Sequence, residues 1–132
     1  MQKNILKIVI DKPSNDIFDF LLNPKNSPKW LDVAEERTNE WPVKLGTIFE
    51  NRGDLNSDVW TRYEVSHYEY GKEFEFINGN YAVRYILKTL ENGATEMTVT
   101  EWVKEDQLLE PMTMAPFEKL KQLLEEYKII TE

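Results

Sequence analysis

The residues best equipped for chemistry are a carboxylate and a set of phenols at two-residue spacing. Met97, Val99 and Glu101 alternate along "ATEMTVTEWV", so they share one face of a strand. If the apolar pair faces the core, Glu101 follows it inward near the strand's end. A carboxylate partly removed from water there would serve as a general acid or base; a strand that bulges or ends earlier would leave it wet. Tyr63 and Tyr85 reach the same interior by parity and, with Glu101, make up a candidate catalytic set for moving protons. A wider group, Trp30, Phe49, Tyr63, Phe74, Phe76, Tyr81, Tyr85, Met97, Met112, Met114 and Phe117, is the candidate lining of a ligand site. Taken singly, each is ordinary core, because apolar stripes usually mean burial. As a set they say more. An inward tyrosine needs a hydrogen-bond partner, which water or a ligand in a cavity supplies, and methionine adapts to varied apolar shapes.

Other chemistries find less support. There is no cysteine, which excludes disulfides, thiolate zinc sites and a cysteine nucleophile. The single histidine, His67, shares the parity of Tyr63 and Val65 but lies beside the Tyr70–Gly71 turn, where a solvated strand-end histidine is expected. One histidine without cysteine does not make a zinc site. "DLNSD" (Asp54–Asp58) imitates the start of a calcium loop, but Val59 stands where that loop requires glycine and Val65 where it requires glutamate. No metal and no cofactor are expected. Gly-rich phosphate loops and serine-centred nucleophile motifs are missing too. Arg52, Arg62 and Arg84 fall on outward parities.

These side chains must be positioned by one domain. The chain has 132 residues, 41% hydrophobic and 30% charged, without repeats or linkers, and residues 1–132 read as a single unit. The net charge of −8 argues against nucleic acid, whose binders need a basic surface, and against anionic lipid. No apolar run is long enough for a membrane span, and the start lacks the apolar core of a signal peptide. A cytoplasmic protein is the default expectation.

The element order follows from period. "NILKIVI" is a strand with Leu6, Ile8 and Ile10 on one face. Pro13 or Ser14 opens a helix carrying Ile17, Phe20 and Leu21 at helical spacing; Asn23–Pro24 stops it. A second helical turn ends at Trp30. Period two then runs through "DVAEERTNEW", "GTIFENRG", "VWTRYEVSHYEY", "KEFEF", "YAVRYILKTL" and "ATEMTVTEWV". Asn78–Gly79 and Asn92–Gly93 mark hairpins. From about Thr113 to Lys128, Phe117, Leu120, Leu123, Leu124 and Tyr127 form one apolar helical stripe. "QLLEPM" reads as a separate turn or a kinked extension before it.

This order resembles the START-like (SRPBCC) superfamily, of polyketide cyclase/dehydrase or lipid-transport type, over nearly the whole chain. The carriers are "IVIDKPSNDIFDFLLNPKNSPKW", "LGTIFE", "YEVSHYEYGKEFEF" and "NGATEMTVTEW". Lys12, where the family has alanine, and Pro116, near the start of the last helix, depart from its pattern. The resemblance implies an α+β helix-grip fold. A curved antiparallel sheet of about six or seven strands wraps the long C-terminal helix, and two short helices after the first strand plug one end, with Trp30 as stopper. It places Met112 and Met114 at a pocket mouth.

Three functions compete. The first is binding of a small hydrophobic or aromatic ligand between sheet and C-terminal helix by a monomer or weak dimer. The second is a cyclase- or dehydratase-type enzyme using Glu101 with Tyr63 or Tyr85. The third is an interaction module like chaperone-activating relatives, for which Trp60, Ile86 and Trp102 on outward parity would supply an exposed patch. A shared fold cannot choose among them.

Overall fold

Alternation decides the first element. β1 (Gln2–Ile10) turns Leu6, Ile8 and Ile10 to the core and leaves Ile5 and Val9 exposed. The computed structural model, which describes residues 1–130 and the side chains through Glu126, continues with α1 (Ser14–Leu22), a 3₁₀ turn (Pro24–Asn26) and α2 (Ser27–Trp30). Pro13 precedes α1 in an extended conformation, and Ile17, Phe18, Leu21 and Leu22 are its buried face. Asn23, held extended ahead of Pro24, ends the helix, and its side chain accepts a bond from the Lys25 N–H to start the next turn.

Six strands follow: β2 (Glu35–Thr38), β3 (Ile48–Arg52), β4 (Thr61–Glu69), β5 (Glu73–Asn78), β6 (Tyr81–Thr89) and β7 (Thr95–Val103). They form an antiparallel meander, and β1 joins it beside β7, giving the order β1-β7-β6-β5-β4-β3-β2. β1 and β2, neighbours in sequence, therefore stand at opposite edges of one sheet. The segment between them has to cross the sheet's width, which explains the short helices in Pro13–Trp30. Both seat on the apolar face. Phe18 meets Tyr68, Tyr70 and Phe74 edge-on at 5.1–5.6 Å, and Trp30 lies 5.5 Å from Phe117.

Two details of register differ from expectation. The β5–β6 turn is centred one residue later than Asn78–Gly79: Asn78 pairs with Tyr81, and Gly79 takes the first central position at φ +59°, the place a type II′ turn reserves for glycine. In β4 a bulge falls between Val65 and His67: Val65 pairs with Phe76, and His67 with Glu75. The extra residue reverses the parity. His67 thus leaves the face of Val65 and joins Glu73 and Glu75 on the outer side, while Tyr68 turns inward opposite Phe74.

The expected turn in "QLLEPM" is absent. Residues 104–113 run as an irregular loop, and α3 (Met114–Ile130) begins one residue past Thr113. Phe117, Leu120 and Leu124 are buried against the sheet, Leu123 partly so. Tyr127, the last member of the expected stripe, has a side chain outside the described residues. α3 is also tied to the β1 edge. Lys121 Nζ donates to the Val9 carbonyl, and Glu125 accepts from the Asp11 N–H at 2.9 Å.

Candidate functional site

Space is left at one end of the grip. A cleft of about 290 Å³ opens between the sheet and the segment that follows α2. The sheet contributes inward residues of successive strands: Phe49 and Asn51 from β3, Tyr63 from β4, Phe76 from β5, and Tyr81, Val83 and Tyr85 from β6. Leu31, Asp32 and Val33 form the opposite wall, Met112 covers one side from the β7–α3 loop, and Glu36 of β2 points in. Behind it lies a cavity of about 40 Å³ that shares Leu31, Glu36, Phe76 and Tyr85 and reaches Ser27, Trp30 and Phe74. In front, a groove of about 1,030 Å³ shares Tyr63, Tyr81 and Met112 and runs past Glu101 along the loop of Glu105 to Glu110.

The phenols differ in their hydrogen bonding. Tyr81 donates to Glu101 Oε1 at 3.0 Å. Among the described residues the hydroxyls of Tyr63 and Tyr85 have no partner, although Tyr85 is only 6% exposed. Burial pushes all three above the usual tyrosine range. For Tyr81 the Glu101 carboxylate adds to it, and for Tyr63 and Tyr85 the Glu36 carboxylate. At neutral pH each is a neutral hydroxyl, able to donate to a ligand.

Glu101 is buried, 2% exposed. Its Oε2 accepts from Asn4 Nδ2 at 2.7 Å and from the Met112 N–H at 2.5 Å. Asn4 donates again, to the Met112 carbonyl at 3.0 Å. With the Tyr81 bond, Glu101 fastens β1, β6 and the β7–α3 loop to β7. A carboxylate so occupied holds Tyr81 and Met112 in place.

Glu36 and Asn51 were missed by sequence reasoning. Phe49 faces in, so Asn51, two residues on, faces in as well, and Asn51 pairs with Glu36. The first step was legible from alternation; the second needs the register. Glu36 accepts from Ser27 Oγ at 2.5 Å and, weakly, from Asn51 Nδ2 at 3.4 Å. Burial pushes its carboxyl above the usual range, and these two bonds only partly oppose the shift.

Of the candidate ligand-binding residues, the structure brings Phe49, Tyr63, Phe76, Tyr81, Tyr85 and Met112 around the cleft, and Trp30 and Phe74 around the inner cavity. Met97 and Phe117 pack in the core, and Met114, partly buried at the start of α3, lines none of these spaces. Among the described residues no α3 side chain lines the cleft; the helix backs it indirectly, through Phe117 against Tyr85.

The remaining candidates lie elsewhere. His67 Nε2 bonds Glu73 Oε1 at 2.9 Å, and Lys72 lies 3.4 Å from Glu69. Together His67, Glu69 and Glu73 put potential ligand atoms within 4.8 Å of one another, but His67 and Glu73 are bonded to each other and Glu69 pairs with Lys72, away from the cleft. Trp60 is covered by Arg37 and Arg52, whose guanidinium carbons lie 3.7 and 4.6 Å from the ring centroid. Ile86 and Trp102 sit four residues apart along β6 and β7, with Arg84 and Thr100 between them, so they form no continuous patch.

Solved structures share this architecture over nearly the whole chain. Protein NE0264 from Nitrosomonas europaea is 14% identical, with a TM-score of 0.74 over 96% of this chain and 96% of that one. Ara h 8.0201 is 9% identical, with a TM-score of 0.68 over 95% and 98%. CalU16 from Micromonospora echinospora is 14% identical, with a TM-score of 0.63 over 95% and 74%. At such identities the likeness concerns the fold, an α+β helix grip. No family model and no curated protein matches the chain. No helix among the described residues is long and apolar enough to cross a membrane.

Proposed function

We propose that the chain binds a small, largely apolar molecule in the cleft at the open end of the grip. One observation carries this reading. Tyr85 is almost fully buried, yet its hydroxyl faces open cleft space without a protein partner. That hydroxyl is free to bond a ligand or water held in the cleft. The cleft's size is near the lower end of small-molecule sites, about 300–1,000 Å³. The START-like resemblance points the same way, toward polyketide-type aromatics or lipids. Glu101 is a positioning residue here, because both of its oxygens are already bonded inside the protein.

A thermal-shift screen of flavonoids, polyketide-like aromatics and fatty acids tests the proposal. A ligand of the folded state raises the melting temperature with concentration. Val33→Trp, which fills the cleft from a loop position, should abolish the shift without lowering the melting temperature of the free protein. If no compound shifts the parent protein, or if the shifts survive Val33→Trp, the cleft is not the binding site.

A further inference from the structure

The charge around the cleft is one-sided. Its lining includes Asp32 and Glu36, and the groove in front adds Glu101, Glu105, Asp106 and Glu110. No Lys, Arg or His lines either space among the described residues. The nearest arginines on β2 and β3 are turned outward and engaged: Arg37 with Glu50, Arg52 with Glu35, and both over Trp60. Glu36 still has acceptor capacity, because its Oε2 is met only by Asn51 at 3.4 Å, a distance at which little hydrogen bonding remains. The rings of Phe49, Tyr63, Phe76 and Tyr85 line the same cleft, and an aromatic ring attracts a cation to its face.

We infer that the cleft selects a cationic aromatic ligand, an amine whose ammonium group sits between the Glu36 carboxylate and the surrounding rings. This rests on the ligand-binding reading and adds the ligand's charge class to it. The physics is that of a one-signed cleft with low-dielectric walls, which concentrates counter-charged solutes and repels like-charged ones. An anion would enter past four carboxylates of the groove and meet two more in the cleft, with no protein cation to pair with. A neutral aromatic would gain the apolar contacts and the free hydroxyl of Tyr85, but nothing from Glu36 as an ion. Of the three, only the ammonium combines the rings, the hydroxyl oxygens and the open carboxylate oxygen.

The test is a matched set on one aromatic core: 2-naphthylmethylamine, 2-naphthylmethanol and 2-naphthoate, titrated calorimetrically at low salt and neutral pH. The amine should bind at least tenfold more tightly than the alcohol, and the carboxylate should bind most weakly. Glu36→Gln should shrink the ratio of amine to alcohol affinity several-fold, and Val33→Trp should abolish amine binding. An alcohol that binds as well as the amine would overturn the charge selection while leaving the ligand-binding reading in place. Amine binding that survives Val33→Trp would assign it to the acidic surface and overturn the inference. If none of the three binds, the charge inference falls, and the thermal-shift screen decides the ligand-binding reading separately.

Discussion

Removing Glu101 tests whether the fold's open end is held by a single carboxylate. In Glu101→Ala three donors lose their acceptor. The Met112 N–H, in a half-buried residue, is left without an acceptor. Asn4 keeps its bond to the Met112 carbonyl, and the Tyr81 hydroxyl still reaches the groove. Leaving a buried donor unsatisfied costs about 1–3 kcal/mol, and because the three donors are neutral no buried charge is stranded, so that range is the expected loss. Glu101→Gln should behave differently. Its carbonyl oxygen can take the place of Oε2 and accept from Asn4 and Met112, while its amide N–H donates to Tyr81, whose hydroxyl oxygen can accept. Every group keeps a partner, so the expected cost is about 1 kcal/mol or less, the worth of one neutral hydrogen bond. Urea unfolding followed by tryptophan fluorescence and far-UV circular dichroism measures both variants. At this chain length each kcal/mol moves the melting temperature by roughly 3–5 °C. Glu101→Ala should therefore melt roughly 3–15 °C lower (about 1–3 kcal/mol). An alanine variant within about 1 kcal/mol of the parent, or a glutamine variant as unstable as the alanine one, would refute the network as the fastening.

Three further outcomes are expected. Leu120, 0% exposed, should cost about 2–5 kcal/mol on mutation to alanine through the cavity left under α3, read from urea midpoints; a loss near zero would mean that the helix is not gripped there. Glu36 holds its proton more tightly when folded, chiefly through burial. The parent should thus lose stability as pH rises from the ordinary glutamate range through the folded value, and Glu36→Gln should be more stable than the parent at neutral pH but equal to it in strong acid; a gap independent of pH would refute this. Tyr81 and Tyr85 are pushed above the usual range by burial and nearby carboxylates, so their phenol absorbance should change only when alkali unfolds the chain. Ionisation of all six tyrosines in the ordinary range, with the fold intact, would contradict that burial.

Local chemistry made most of the fold legible. Strand alternation placed Phe74 and Phe76, Tyr81, Val83 and Tyr85, and Met97 and Val99 inward, because successive side chains of a strand must take opposite faces. Asn23 before Pro24 ended α1 for a steric reason contained in two residues, and the apolar stripe of Phe117, Leu120 and Leu124 announced the gripped face of α3. For Glu101 parity left two outcomes, inward or wet at a strand end; the structure buries it, and its oxygens are occupied because Asn4 and Met112 reach it when β1 docks on β7 and the loop folds back. Parity also failed at His67, because one extra residue at a bulge reverses every side chain beyond it. The cleft itself was decided by tertiary structure. Glu36 enters it through the β2–β3 register, and the wall opposite the sheet comes from Leu31–Val33 rather than from α3. Which side chains border unfilled space depends on how far apart packing holds distant segments, and no spacing along the chain encodes that distance.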